Sequence, residues 1–152
     1  MKLAEALNLR STLIKEIAEL RKRLVDCVSI QEDETPIDSA EELLKELEPL
    51  IAQLHKLVYQ INLTNLQIKE NGKSITELLA ERDELGMRTS ILNDALRRLN
   101  DNKARYRSDD IRYIRTVEPS VLRDLLSKES AKLRKINLKI QMLGWMHDLI
   151  EQ

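Results

Sequence analysis

Residues 39–68 of the sequence, SAEELLKELEPLIAQLHKLVYQINLTNLQI, decide the fold. Apolar side chains recur there at intervals of three and four residues, and only Thr64 interrupts the row (Leu43, Leu47, Leu50, Leu54, Leu57, Ile61 and Ile68). This spacing predicts one long amphipathic α-helix. Ser39 followed by Glu42 forms a capping box, which marks the start of the helix. Pro49 removes one backbone hydrogen bond, but the row continues in phase across it, so we expect a kink and no break.

A second set of apolar residues widens the stripe of this helix. Leu44, Ile51 and Val58 each stand one position after a member of the first row. A stripe of that width exceeds what a single neighbouring helix covers. We therefore expect the helix to face more than one partner.

The rest of the chain repeats the helical pattern. Comparable apolar rows predict further helices over residues 2–28, 75–99 and 119–150, and Asn71-Gly72 marks a turn before the third helix. Four helices of this length need apolar neighbours in water. The sequence thus predicts a mainly α protein of one domain, residues 1–152, built as an antiparallel four-helix bundle or as coiled-coil hairpins.

The composition argues against an enzyme. The chain has no Phe, three Gly, three Pro and 34% charged residues, which is typical of long helices. Three scattered glycines cannot build a phosphate-binding loop. Neither His55 nor His147 has a Glu three residues before it, as a di-iron helix motif would require. We predict no catalytic residues, no metal site and no cofactor.

Residues 111–117 carry the one pattern that is not helical. The segment is rich in β-branched and aromatic residues (Ile111, Tyr113, Ile114, Thr116 and Val117), which favours a short strand or extended segment. A lone strand needs a partner. Residues 66–69 and the same segment of another subunit are both candidates.

A basic cluster overlaps this segment and is the main candidate binding site. It combines arginines with tyrosines (Arg105, Tyr106, Arg107, Arg112, Tyr113 and Arg115). Arginine with interleaved aromatic residues can hold phosphates and stack on bases. The alternative is a charged edge strand or a contact with the acidic stretch 32–48. Asn62 and Asn65 are further candidates, as part of a polar network that fixes helix register or contacts the basic cluster.

Several stretches together carry a resemblance to a known family: residues 1–10, 61–65, 79–88 and 111–117, and Trp145 near the end. Over its whole length the sequence resembles a family of small uncharacterised bacterial proteins, some of which are labelled septicolysin. The resemblance implies a mostly helical cytoplasmic protein without an established activity. The label would suggest a pore-forming toxin, but no segment reaches membrane-spanning length and the start does not resemble a signal peptide.

Two functions therefore follow from the sequence. The first is a helical homo-oligomer with a structural or interaction role, whose partner is itself or another protein. The second is binding of a nucleic acid or a phosphate ligand through residues 105–115. The single cysteine and the absence of a membrane segment predict a cytoplasmic protein.

Overall fold

The computed structural model describes residues 1–104 and 112–152, and within them the protein is mainly α-helical. The helices are α1 (Leu3–Cys27), α2 (Ala40–Gln67), α3 (Ile75–Ala104) and α4 (Pro119–Met146). Two short antiparallel strands, β1 (Lys69–Glu70) and β2 (Lys73–Ser74), lie between α2 and α3. The predicted fold class is confirmed. In this part of the chain, no helix is long and apolar enough to cross a membrane.

Serine side chains cap the starts of α2 and α3, and the cap of α2 is the one that Ser39 and Glu42 predict. The Glu42 backbone N–H donates to the Ser39 hydroxyl at 3.4 Å, and α2 then continues through Pro49. The Glu77 N–H donates to the Ser74 hydroxyl at 3.1 Å at the start of α3. Each bond satisfies one of the free N–H groups of a first helical turn.

The turn between the strands lies where Asn71-Gly72 predicts it. Both residues have positive φ, 50° for Asn71 and 81° for Gly72. Positive φ at both central residues fits a type I′ turn, which closes two-residue hairpins. The strand partner for residues 69–70 is therefore the next segment of the chain.

A strand, one of the two forms expected at 111–117 beside an extended segment, is not found over residues 112–117. Residues 112–115 adopt no regular secondary structure and residues 116–117 form a bend, while residue 111 lies outside the described residues. The physical reason is local: the tight hairpin at Asn71-Gly72 supplies β1 with a neighbour through short-range contacts, which cost less chain entropy than a distant pairing.

Two helix ends differ from the prediction. The third helix continues to Ala104, five residues beyond the expected end at residue 99. Each residue of the Asn-Asp-Asn sequence there lowers the stability of a helix by up to about 0.7 kcal/mol relative to alanine. That cost is too small to end the helix. The fourth ends at Met146, four residues before residue 150, because the following backbone bonds to other parts of the chain.

Met1–Glu70 and Leu143–Gln152 form the first compact unit, here called unit 1. Leu20 of α1 packs with Leu43 and Leu47 of α2, and Cys27 lies against the same cluster. The end of α1 thus meets the beginning of α2, so the two helices form an antiparallel hairpin.

Asn71–Met142 form the second unit, unit 2, which contains α3 and most of α4. Among the described residues of this unit, the aliphatic side chains of Ile75, Leu78 and Ile136 are buried. Thr89, also buried, donates its hydroxyl hydrogen to the Gly86 carbonyl at 2.9 Å. The sequence-based expectation of a single domain stays a prediction.

Candidate protein-interaction surface

The α1–α2 hairpin of unit 1 carries two apolar rows on each helix. The core row includes Leu13 and Leu20 of α1 and Leu43 and Leu57 of α2, all buried. The second row follows the core row by one residue in both helices. We call the second rows together the hairpin face (Ile14, Ala18 and Val25 of α1; Leu44, Ile51 and Val58 of α2).

The hairpin face remains largely open to solvent. The exposed fractions are 50% for Ile14, 64% for Val25, 55% for Leu44 and 48% for Ile51. Ile14 and Val25 lie eleven residues apart, about three turns, and Leu44 and Ile51 lie seven residues apart, about two turns, so each pair is on one side of its helix. Contiguous exposed apolar residues on a helix are typical of an interaction surface.

A shallow groove runs along the α1 side of this face. Its lining combines apolar residues with both signs of charge (Ile14, Ile17, Ala18, Arg21, Lys22, Val25 and Asp26). On the α2 side, Glu41 and Glu48 stand at the corresponding positions by helical periodicity. The α1 row is therefore interrupted by the basic residue Arg21, whereas acidic residues, Glu41 and Glu48, accompany the α2 row.

An ion pair ties the acidic connection between the two helices to α1. The Arg23 guanidinium donates from Nη2 to Asp38 Oδ1 at 2.6 Å and from Nε to Oδ2 at 3.1 Å. These hydrogen bonds lower the pKa of the Asp38 carboxyl and raise the pKa of Arg23. The two-point geometry is the favoured arrangement for arginine with carboxylate. It holds the connection beside α1 just before α2 begins.

A polar network lies at the end of the hairpin, near the predicted candidates Asn62 and Asn65. Asn62 is exposed and Asn65 is buried. Between them, Thr64 is fully buried; its hydroxyl donates to the Gln60 carbonyl at 2.7 Å and accepts from the Ile150 N–H at 2.9 Å. The polar interruption of the row thus has a structural role. A contact with the basic cluster stays a prediction.

The structure describes only part of the predicted Arg/Tyr site. Arg105, Tyr106 and Arg107 lie outside the described residues. Arg112, Tyr113 and Arg115 are exposed and lie before the first turn of α4. The described members therefore present their side chains to solvent.

Sequence reasoning missed the pairing of the two chain ends. The Leu3 N–H donates to the His147 carbonyl at 3.0 Å, and the Leu149 N–H donates to the Met1 carbonyl at 2.9 Å. Lys2 Nζ lies 3.0 Å from Asp148 Oδ1 and lowers the pKa of that carboxyl through a hydrogen bond and its charge. The sequence signal for this pairing is that apolar residues, Leu149 and Ile150, follow the polar His147. The same pattern fits the frayed end of a helix equally well.

Comparisons with known proteins place the chain in a family. Residues 10–149 match the model of a family of unknown function, DUF6847. The structure is similar to the crystal structure of a functionally unknown conserved protein from Corynebacterium diphtheriae. The TM-score is 0.93 and the identity 30%, and 99% of each chain is covered.

No curated protein matches the sequence. The resemblance to uncharacterised bacterial proteins is confirmed as membership of a family without a known role, and neither description refers to septicolysin. Since the family model covers most of the chain, this protein belongs to DUF6847, a family of unknown function.

Proposed function

We propose that this protein is a helical scaffold that associates with another copy of itself through the hairpin face. The observation that supports the proposal is the open apolar row on both helices of unit 1. Association would remove further apolar surface from water at each of the half-exposed residues of this row (Ile14, Val25, Leu44 and Ile51). A helix whose apolar surface exceeds one neighbour commonly gains a second by oligomerisation.

Light scattering after size-exclusion chromatography tests this proposal. We expect a discrete multiple of the 17.7 kDa chain at micromolar concentration. A Leu44→Glu, Ile51→Glu double variant should elute as a monomer with unchanged helix content, because two buried carboxylates per copy oppose association.

The matched control replaces exposed apolar residues of unit 2. Met87 and Leu138 are both 67% exposed, so Met87→Glu with Leu138→Glu introduces the same charge without touching the hairpin face. This variant should keep the wild-type mass. A monomeric wild type, or a control that dissociates while the hairpin-face variant does not, would contradict the proposal.

A second candidate function, binding of nucleic acid, is supported by the distribution of charge. Residues 71–142 contain sixteen Lys and Arg against eleven Asp and Glu, whereas the rest of the chain contains nine against fifteen. Although the whole chain has a net charge of −1, unit 2 carries a net positive charge. Within it, Arg112 and Arg115 are exposed, and α4 carries lysines at intervals of four and three on one side (Lys128, Lys132, Lys135 and Lys139).

Fluorescence anisotropy with a single-stranded oligonucleotide tests this second function. Binding should weaken steeply as salt rises, since neutralised phosphates release counterions. The Arg112→Ala, Arg115→Ala double variant should bind more weakly. The slope of log binding constant against log salt concentration should also fall in magnitude by about two. Lys45→Ala with Lys56→Ala removes the same charge from unit 1 and should leave binding unchanged. Equal losses in both variants, or binding indifferent to salt, would eliminate the site.

A further inference from the structure

The two rows of the hairpin face lie on the same side of the α1–α2 hairpin. In each helix the exposed row follows the core row by one residue, as Ile14 follows Leu13 and Ile51 follows Leu50. One residue is a rotation of about 100° around the helix axis. Because the helices are antiparallel, equal rotations along the chain turn both rows toward the same side of the plane through the two axes.

The rotation of about 100° between the core row and the exposed row fits the geometry of a four-helix bundle. A helix in a four-helix bundle touches two neighbours in directions roughly at right angles. The core row of α1 already contacts α2 within the chain, as the cluster around Leu20 shows. The hairpin face therefore points where a third and a fourth helix would lie.

The packing of unit 1 also fixes which residues stand at the same height. Leu20 packs with Leu43 and Leu47, so position 20 of α1 is level with about position 45 of α2. Counting outward along antiparallel helices makes Ile14 level with Ile51. The same count makes Arg21 level with Leu44.

We propose that two copies pack their α1–α2 hairpins face to face about a two-fold axis parallel to the helices, so that α1 of each copy lies on α2 of the other. This arrangement rests on the proposed self-association and specifies its geometry. It keeps heights unchanged between copies, so Ile14 of one copy meets Ile51 of the other. At that level an apolar residue faces an apolar residue across the interface.

Charge complementarity favours this axis over the alternative. With the axis parallel to the helices, Arg21 of one copy lies at the height of Leu44 of the other, between Glu41 and Glu48. An axis perpendicular to the helices would instead lay α1 on α1. In that arrangement Arg21 would no longer lie between Glu41 and Glu48 of the other copy, so this attraction between opposite charges would be lost.

Cysteine cross-linking distinguishes the two axes. Cys27 is the single cysteine and is replaced by alanine in all chains. Ile14→Cys and Ile51→Cys are then introduced into separate chains, one of them tagged, and the two are coexpressed and oxidised. We expect a disulfide-linked pair of one tagged and one untagged chain, because facing positions satisfy the short Cα separation that a disulfide requires. Separate chains ensure that no link can form within a molecule.

Four outcomes decide the proposal. A strong link between Ile14→Cys and Ile51→Cys chains, with little link in either variant alone, supports the parallel axis. A preferential link between Ile14→Cys and Ala18→Cys chains would show α1 against α1 and overturn it. A dimeric mass under reducing conditions without a link between positions 14 and 51 would also overturn it while leaving self-association intact. A monomeric mass would refute the proposed function itself.

Discussion

Thr64 shows how one polar side chain joins distant parts of unit 1. It occupies a core position of α2 with no exposed surface. Its hydroxyl uses the donor for Gln60 in the preceding turn and an acceptor for the N–H of Ile150, which is 86 residues away. A hydroxyl whose donor and acceptor are both hydrogen-bonded is tolerated in a core. Without this hydroxyl, the N–H of Ile150 would lose its hydrogen-bond acceptor. The interrupted apolar row predicts some polar network here, but a single sequence cannot identify a partner so far along the chain.

Thr64→Val should lower the free energy of unfolding by about 1–3 kcal/mol, because the shape is kept while the Ile150 N–H loses its acceptor. Urea unfolding followed by circular dichroism measures the loss, and hydrogen exchange should show a faster Ile150 amide. Thr12→Val is the matched control, since the Thr12 hydroxyl is exposed and bonds only to the Asn8 carbonyl of its own helix. The control should change stability by less than about 0.5 kcal/mol. Equal losses in both variants would mean that the hydroxyl of Thr64 contributes nothing beyond its helix.

At the scale of elements, local signals determine helix starts better than helix ends. Ser39 caps α2 where the sequence indicates, and Ser74 caps α3 in the same way, because a capping side chain bonds to a backbone N–H three residues away. The end of α4 has no such local cause. Its backbone leaves the helix at Met146 to bond with Met1 and Leu3, at the other end of the chain. That competition is tertiary, so apolar spacing alone extends the helix too far.

The hairpin face illustrates a different limit of sequence reasoning. The position of Leu44 and Ile51 one residue after the core row predicts a helix with more than one neighbour. The structure adds that α1 has the matching row and that both remain exposed. Which side of the hairpin each row occupies depends on the antiparallel packing of Leu20 with Leu43, a contact that the sequence does not specify. The sequence thus predicts the α2 row of the candidate surface, whereas the α1 row and its position beside the α2 row come from the structure.

At the scale of the whole molecule, self-association would make stability depend on concentration. The exposed part of each aliphatic side chain of the hairpin face contributes nothing to the stability of an isolated copy, whereas in a pair it would become buried. Association of folded chains stabilises them by mass action, since unfolded chains do not pair. The melting temperature then reports on the interface as well as on the fold.

We expect the melting temperature of the wild-type protein to rise by about 2 °C for each tenfold increase in concentration, given the unfolding enthalpy typical of a pair of chains this size. Differential scanning calorimetry over a hundredfold concentration range measures this slope. The Leu44→Glu, Ile51→Glu variant should melt at a lower temperature that does not change with concentration, while the Met87→Glu, Leu138→Glu control should keep the wild-type slope. A concentration-independent wild type would mean that the chain folds as a monomer, and that unit 1 is stable with its hairpin face open to water.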